Sequence, residues 1–435
     1  MGQKQSTDDE TKLDFSNAYS CGSPQLIIPT ETEMADEESP LLTLPLEVLE
    51  SIWRFCDRRS LHRLSVCSKI SNYLLTPVIF ENICIKWDLL KKDTSLFSFQ
   101  PFMFTSRLRL YQDFNIDYPI LSVIKERNLV QNFKLIIDHC DPSKLCSLSI
   151  ADKSILNEDF VTVFQPLTSL KVVTLKYCMV VQNTIKSLSS LEHLRKLTLS
   201  HCRLRYQEYG TLYRLHDLCI EECVGIDEEN LKINEITGLQ QLTLRRNYSM
   251  GDVRGAVSIR TLNKLVELKY LDISGSSVSY ATDFLQLKVL KHLKLCDIIC
   301  FSELCLDYLP QLTELYMNGC RSTNSQLKSL QKLKCLRILS VAQNGLLDLG
   351  LVYISQLVSL KELDISNNKS ITNEGIKYLK SLVSLEKLNV SDCYQLTVEC
   401  LIYIDNLSSL KKLYVENTIL MVSAVEKNDW KYKSF

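Results

Sequence analysis

The chain has 435 residues, 46% hydrophobic and 23% charged, with a formal net charge of −1. That length predicts two or three domains or one elongated one, and the balanced charge gives no argument for nucleic acid as a partner. With only 12 glycines and 10 prolines, most of the chain is expected to be regular structure.

Near-neutrality hides an asymmetry. Residues 1–40 hold nine acids and two lysines, which leaves +6 for the remainder. This acidic head, with "TDDE" and "ETEMADEESP", reads as disordered. Its start, "MGQKQSTDDE", has no apolar run, so no secretory signal is expected. Nowhere do about 18 apolar residues run together, so no transmembrane helix is expected. The same start fits the N-myristoylation pattern, with Gly2 as the lipidation site and Ser6 at the required position. The alternative is an unmodified end. One acyl chain beside acidic residues would give at most weak lipid-anchored membrane contact. Seventeen cysteines without a signal point to reduced thiols in the cytosol or nucleus.

Three short helices are expected over 41–85, "LLTLPLEVLESIWRFCDRRSLHRLSVCSKISNYLLTPVIFENICI". Pro45 suits a first helical turn, and Val48, Leu49 and Ile52 share one face. "DRRS" breaks this helix and Ser60 can cap the next. Leu61, Leu64, Val66 and Cys67 continue the apolar surface, and Pro77 ends the third segment. So short a unit has too little core to stand alone.

Residues 86–144 read as a linker with degenerate capping repeats. Two stretches fit loosely, "TSRLRLYQD" (105–113) and "VQNFKLIID" (130–138), but the second falls too close to the repeat that starts at Leu145 for both to count. From 145 to 420 the template L-x-x-L-x-L-x-x-N/C recurs twelve times, with first positions at 145, 170, 194, 215, 239, 268, 290, 312, 336, 360, 385 and 410. Residues 421–435 form a C-terminal tail. Leucines at the fourth and sixth positions alternate inward from a short strand. The ninth position must satisfy backbone groups freed where the chain turns. It is Cys178, Cys202, Cys223, Cys320 and Cys393, and Asn247, Asn344 and Asn368. Ile371, Ile376, Leu379 and Leu382 recur at helical spacing. The expected fold is therefore an α/β solenoid: a leucine-rich-repeat horseshoe with strands on the concave side and helices on the convex side. Twelve strands about 4.8 Å apart would make a concave sheet on the order of 50 Å long, sized for a macromolecule.

Alternation turns positions three, five and seven toward that concave face. Arg245, Tyr270, His292, Lys294, Tyr316 and Tyr414 are its candidate substrate-binding anchors, because exposed Tyr and Arg often carry interfaces. The bland alternative is a solvated sheet face of mixed charge. Arg245, Arg246 and Lys294 read as a modest basic area beside an acidic one at Asp217, Glu221 and Glu222. "HCDPSKLC" and "CDIICFSELC" lack paired ligand spacing, so no metal site is expected. No phosphate-cradling loop or nucleophile motif is present. Neither catalysis nor a cofactor is expected.

The segment 41–85 resembles the F-box. Leu44, Pro45, Glu47, Val48, Leu49, Ile52 and Trp53 follow its opening, and Asp57, Leu61, Leu64, Val66 and Cys67 its second half. It departs at Ile70 and Phe80, where the family often has Trp, at Trp53, where Phe is usual, and at Cys56, where Leu is usual. With cysteine-containing repeats behind it, the whole chain resembles the F-box/leucine-rich-repeat family. The resemblance implies that Leu44, Pro45, Val48, Leu49, Ile52, Trp53, Leu61, Leu64, Val66 and Cys67 dock a Skp adaptor and through it a cullin scaffold. The repeats would then hold a protein substrate for ubiquitination by an SCF-type ligase. The alternative is a leucine-rich-repeat scaffold or regulatory protein-binding module without ligase association.

Overall fold

The structure, a computed structural model, describes residues 82–86, 107–111, 143–151, 164–180, 182–204, 212–225, 232–247, 256–258, 262–279, 284–300, 306–321 and 324–420. The acidic head with Gly2, the F-box-like residues Leu44 to Cys67, the stretch 130–138 and the tail 421–435 lie outside them. The chain divides into two units, 1–194 and 195–435.

In the first unit four strands run parallel: Asn82–Lys86, Arg107–Tyr111, Ser147–Ala151 and Val172–Lys176. The strand Asn82–Lys86 spans the boundary expected between the F-box-like unit and the linker. Arg107–Tyr111 lies inside "TSRLRLYQD" and pairs directly with Ser147–Ala151, leaving no place between them for another strand. Leu148, Ile150, Val173 and Leu175 alternate into the core, as the two-residue period requires. The helix Gln182–Ser189 lays Ile185 and Leu188 over the same side.

In the second unit ten strands continue the pattern, from Lys196–Ser200 to Lys412–Tyr414. Each is parallel to the next, and the central leucines meet in register: Leu271 with Leu293, Leu293 with Leu315, Leu315 with Leu339 and Leu339 with Leu363. All five are 2% exposed or less. Burying one such side chain contributes roughly 1.5–3 kcal/mol, so the leucine column is the main source of cohesion.

The ninth position ties one repeat to the one before it. Asn247 Nδ2 donates to the Ile220 carbonyl at 2.9 Å while its Oδ1 accepts from Cys223 N at 3.0 Å. Asn344 and Asn368 repeat the arrangement on Met317 and Val341. The thiols of Cys320 and Cys393 take the donor's part toward Leu295 and Ile365. Ser276 does the same toward Leu244, although the N/C template does not admit serine.

Among the described residues of this unit, helices lie on the opposite side in the C-terminal repeats. Asn324–Ser329, Asp348–Ile354, Asn373–Lys377 and Leu401–Ile404 are helical. The repeats starting at Leu239, Leu268 and Leu290 carry short second strands, Ala256–Ser258, Ser277–Ser279 and Ile299–Cys300, paired in parallel.

Candidate functional site

The strands Tyr270–Asp272, His292–Lys294 and Glu314–Tyr316 form the middle of the outward face of the second unit. Their register sets Tyr270 beside His292 beside Glu314, and Asp272 beside Lys294 beside Tyr316. Four of the six candidate anchors therefore converge. Lys294 Nζ lies 5.6 Å from the Tyr270 ring centroid and 5.3 Å from that of Tyr316. Two aromatic faces thus flank one ammonium group, an arrangement worth roughly 0.5–1 kcal/mol per contact at exposed sites and more when desolvated. The His292 ring is tilted 38° to Tyr270 at 6.2 Å, and its Nδ1 is 3.1 Å from Glu314.

Electrostatics keep these groups in defined states. Burial works against the Lys294 charge, but Tyr270, Asp272 and Tyr316 together outweigh it and raise the pKa. Burial, then Asp272, pushes the Tyr270 phenol up; burial, then Glu314, does so for Tyr316. At neutral pH the site therefore offers an ammonium and two protonated phenols. Asp272 is outward by register yet only 5% exposed, and its Oδ1 accepts from Ser274 N at 3.0 Å.

The other two anchors stand apart. Tyr414 is four strands beyond Tyr316, about 19 Å at ~4.8 Å per strand. Arg245 Nη2 is held 2.7 Å from Glu221 Oε2 on the neighbouring strand. Arg246 lies 3.7 Å from Glu222, and Lys196 2.7 Å from Asp217. Apart from Lys294, the basic and acidic areas expected from the sequence are thus interleaved ion pairs, because residues 21 or 24 apart in sequence come side by side in neighbouring repeats. Their charges largely cancel toward a partner.

A polar relay on the next strands was not anticipated from the sequence. Ser340 Oγ lies 2.8 Å from Asn318 Oδ1 and 3.0 Å from Asp364 Oδ2, and Asn318 Oδ1 also accepts from Ala342 N. Tabulating outward positions across repeats would have aligned Ser340 with Asp364, both at position five, but not Asn318 at position seven. Two features carry nucleophilic atoms without presenting them. Burial, then Glu221 and Asp217, pushes the Cys219 thiol up to about 11, so it is not a thiolate at neutral pH. Ser200 Oγ is 2.9 Å from His201 Nδ1, whose Nε2 is 2.7 Å from Glu222, but Ser200 is only 3% exposed and the chain of contacts braces the rim. Among the described residues no group of three or more His, Cys, Asp or Glu is placed to hold a metal ion, and no helix is long and apolar enough to cross a membrane.

The profile of the family described as Leucine Rich repeat matches residues 356–380. A leucine-rich-repeat protein of Leptospira interrogans has a similar structure, with 18% identity and a TM-score of 0.52 over 82% of this chain and 96% of that one. The mouse RP105/MD-1 complex is similar at 17% identity and a TM-score of 0.52, over 82% of this chain and 64% of that one. A search of curated proteins finds no match. The parallel strands, the buried leucine column, the asparagine and cysteine ladder and these likenesses agree on one conclusion: the described residues form a leucine-rich-repeat solenoid.

Proposed function

We propose that the chain is a non-catalytic protein-binding scaffold that reads its partner with the outward strand face of the second unit. The cluster of Tyr270, His292, Lys294 and Tyr316 carries this reading. Aromatic side chains with polar tips, fixed on a packed sheet, bind with little loss of conformational freedom. The test is quantitative affinity purification of the full chain against a Tyr270→Ala/Tyr316→Ala variant. Partners that lean on the cluster should drop at least tenfold, about 1.4 kcal/mol. A partner set unchanged by the variant would contradict the reading.

A finer reading makes this scaffold the substrate receptor of an SCF-type ubiquitin ligase. The observation favouring it is the F-box-like order of Leu44, Pro45, Val48, Leu49, Ile52, Trp53, Leu61, Leu64, Val66 and Cys67 ahead of the repeats. On this reading those residues hold the Skp adaptor, and the chain works in the cytosol or nucleus. Leu44→Ala/Pro45→Ala should lose adaptor co-purification and keep the partners of the repeat face. If the wild-type chain brings down no adaptor, the scaffold reading stands without the ligase. Acylation at Gly2 is a separate proposal, tested by incorporation of a myristate analogue into wild type and Gly2→Ala.

A further inference from the structure

Resting on the scaffold reading, we infer that the rim where the strands of the second unit begin is a docking line for an extended acidic segment of a partner protein. One residue before the outward face starts, the backbone itself aligns a row. Lys291 N donates to Lys269 O, Thr313 N to Lys291 O, Arg337 N to Thr313 O and Lys361 N to Arg337 O, all between 2.7 and 2.9 Å. Lys269, Lys291, Arg337 and Lys361 are exposed, and four steps of about 4.8 Å spread them over about 19 Å. Lys288 and Lys334, exposed on the loops that feed two of these strands, widen the row.

Most of this charge is unspent. Among the described residues, Lys288, Lys291, Lys334 and Arg337 make no ion pair and no side-chain hydrogen bond. Lys269 Nζ meets only the neutral Gln240 at 3.1 Å, and Lys361 meets Glu386 at 3.0 Å. The nearby acids are few: Glu386, which closes the row at one end and is shared by Lys361 and Lys411, Glu267 on one feeding loop, and Asp307, which Lys332 engages. The contrast with the face beside it is sharp, since Arg245, Lys196 and Lys387 are each paired with a carboxylate.

The shape of the row selects its occupant. It is narrow, and the next residues inward include Glu314 and Glu362, which would repel a broad polyanion laid across the sheet. An extended polypeptide rises about 3.3 Å per residue, so about six residues span the row, with every second side chain facing it. A run of Asp and Glu in a partner segment matches both the charge and the width.

The test uses the purified full chain and two labelled probes, a ten-residue oligoglutamate and a ten-nucleotide single-stranded RNA. Binding is read by fluorescence anisotropy at low and moderate salt. Oligoglutamate should bind, and weaken about tenfold or more when salt is raised, because these charges are solvent-exposed. Lys291→Glu/Arg337→Glu should reduce binding at least tenfold, and the neutral Lys291→Gln/Arg337→Gln by less. Lys369→Glu/Lys380→Glu makes the same charge change off the row and should stay within twofold of wild type. Tyr270→Ala/Tyr316→Ala should also leave oligoglutamate binding intact, so failure of the aromatic cluster and failure of the rim are separable. Absence of oligoglutamate binding at low salt would overturn the inference. Equal loss in the on-row and off-row variants would do so too, as would tighter RNA binding that the on-row variant removes.

Discussion

Asn368 is fully buried and uses both ends of its amide. Its Oδ1 accepts from Asn344 N and Leu346 N, each at 3.0 Å, and its Nδ2 donates to the carbonyls of Val341 and Ile365. Asn368→Ala strands two buried donors and two acceptors, so it should cost about 2–4 kcal/mol in urea unfolding. An effect below about 0.5 kcal/mol would mean water replaces the side chain. The position before it holds a second regularity. In the eleven repeats from Leu170 to Leu410 the eighth residue is left-handed: Gln343 has φ 55°, Asn367 55°, Asp392 59°, and Gly319 70°. A non-glycine residue there gives up about 1–2 kcal/mol, while glycine adds about 0.5–1 kcal/mol of unfolded-state entropy. Gln343→Gly should therefore be neutral or stabilising by up to about 1.5 kcal/mol. Gly319→Ala should destabilise, because its new Cβ would also meet the Asp297 carboxylate. Thermal melts of both variants check the pair.

This contrast shows what could be read from the sequence. The leucines and position nine were legible because burial and hydrogen bonding restrict which side chains fit. Position eight was not, because the turn imposes the left-handed conformation whichever residue is there, and Tyr177, His201 and Arg246 adopt it at a cost that the rest of the repeat offsets. The paired charges at Arg245 and Glu221, and the basic row on the strand-start rim, were hidden for another reason. A leucine template counts the inward residues, and the meaning of outward ones depends on neighbours a full repeat away. Ser276 escaped the template because it was written for Asn and Cys alone, although a hydroxyl makes the same bond.

At the scale of elements, the helices of the C-terminal repeats are tied to one another by caps that cross repeats. Thr372 Oγ1 accepts from Glu374 N at 3.2 Å, as an N-cap does, and Asp348 receives both Thr372 N and Thr372 Oγ1 at 2.9 and 2.7 Å. Asn373 and Thr397 repeat the link one turn of the solenoid later. Asp348→Ala should cost about 1–2 kcal/mol and raise amide exchange in Asn373–Lys377. Unchanged exchange there would show that packing alone holds the helix. Helical spacing of Ile371, Ile376 and Leu379 was enough to expect this helix. The short second strands were not expected, because Ser277–Ser279 and Ile299–Cys300 are too brief for a two-residue period to register.

At the scale of the molecule, each unit is a stack in which a repeat contacts its neighbours, and in the second unit's main sheet the outward residues of strands such as His292–Lys294 and Glu314–Tyr316 are less buried than the inward leucines. On the proposed reading, a protein partner sits on the face around Tyr316. The most direct measurement places a photo-crosslinking amino acid at position 316 of the full chain in cells, with a matched probe at position 378 on an exposed helical-side site. Discrete protein adducts are expected from position 316, lost when Tyr270→Ala and Lys294→Ala are added, and none of the same mass from position 378. No adduct from 316, or the same adducts from both positions, would contradict the claim.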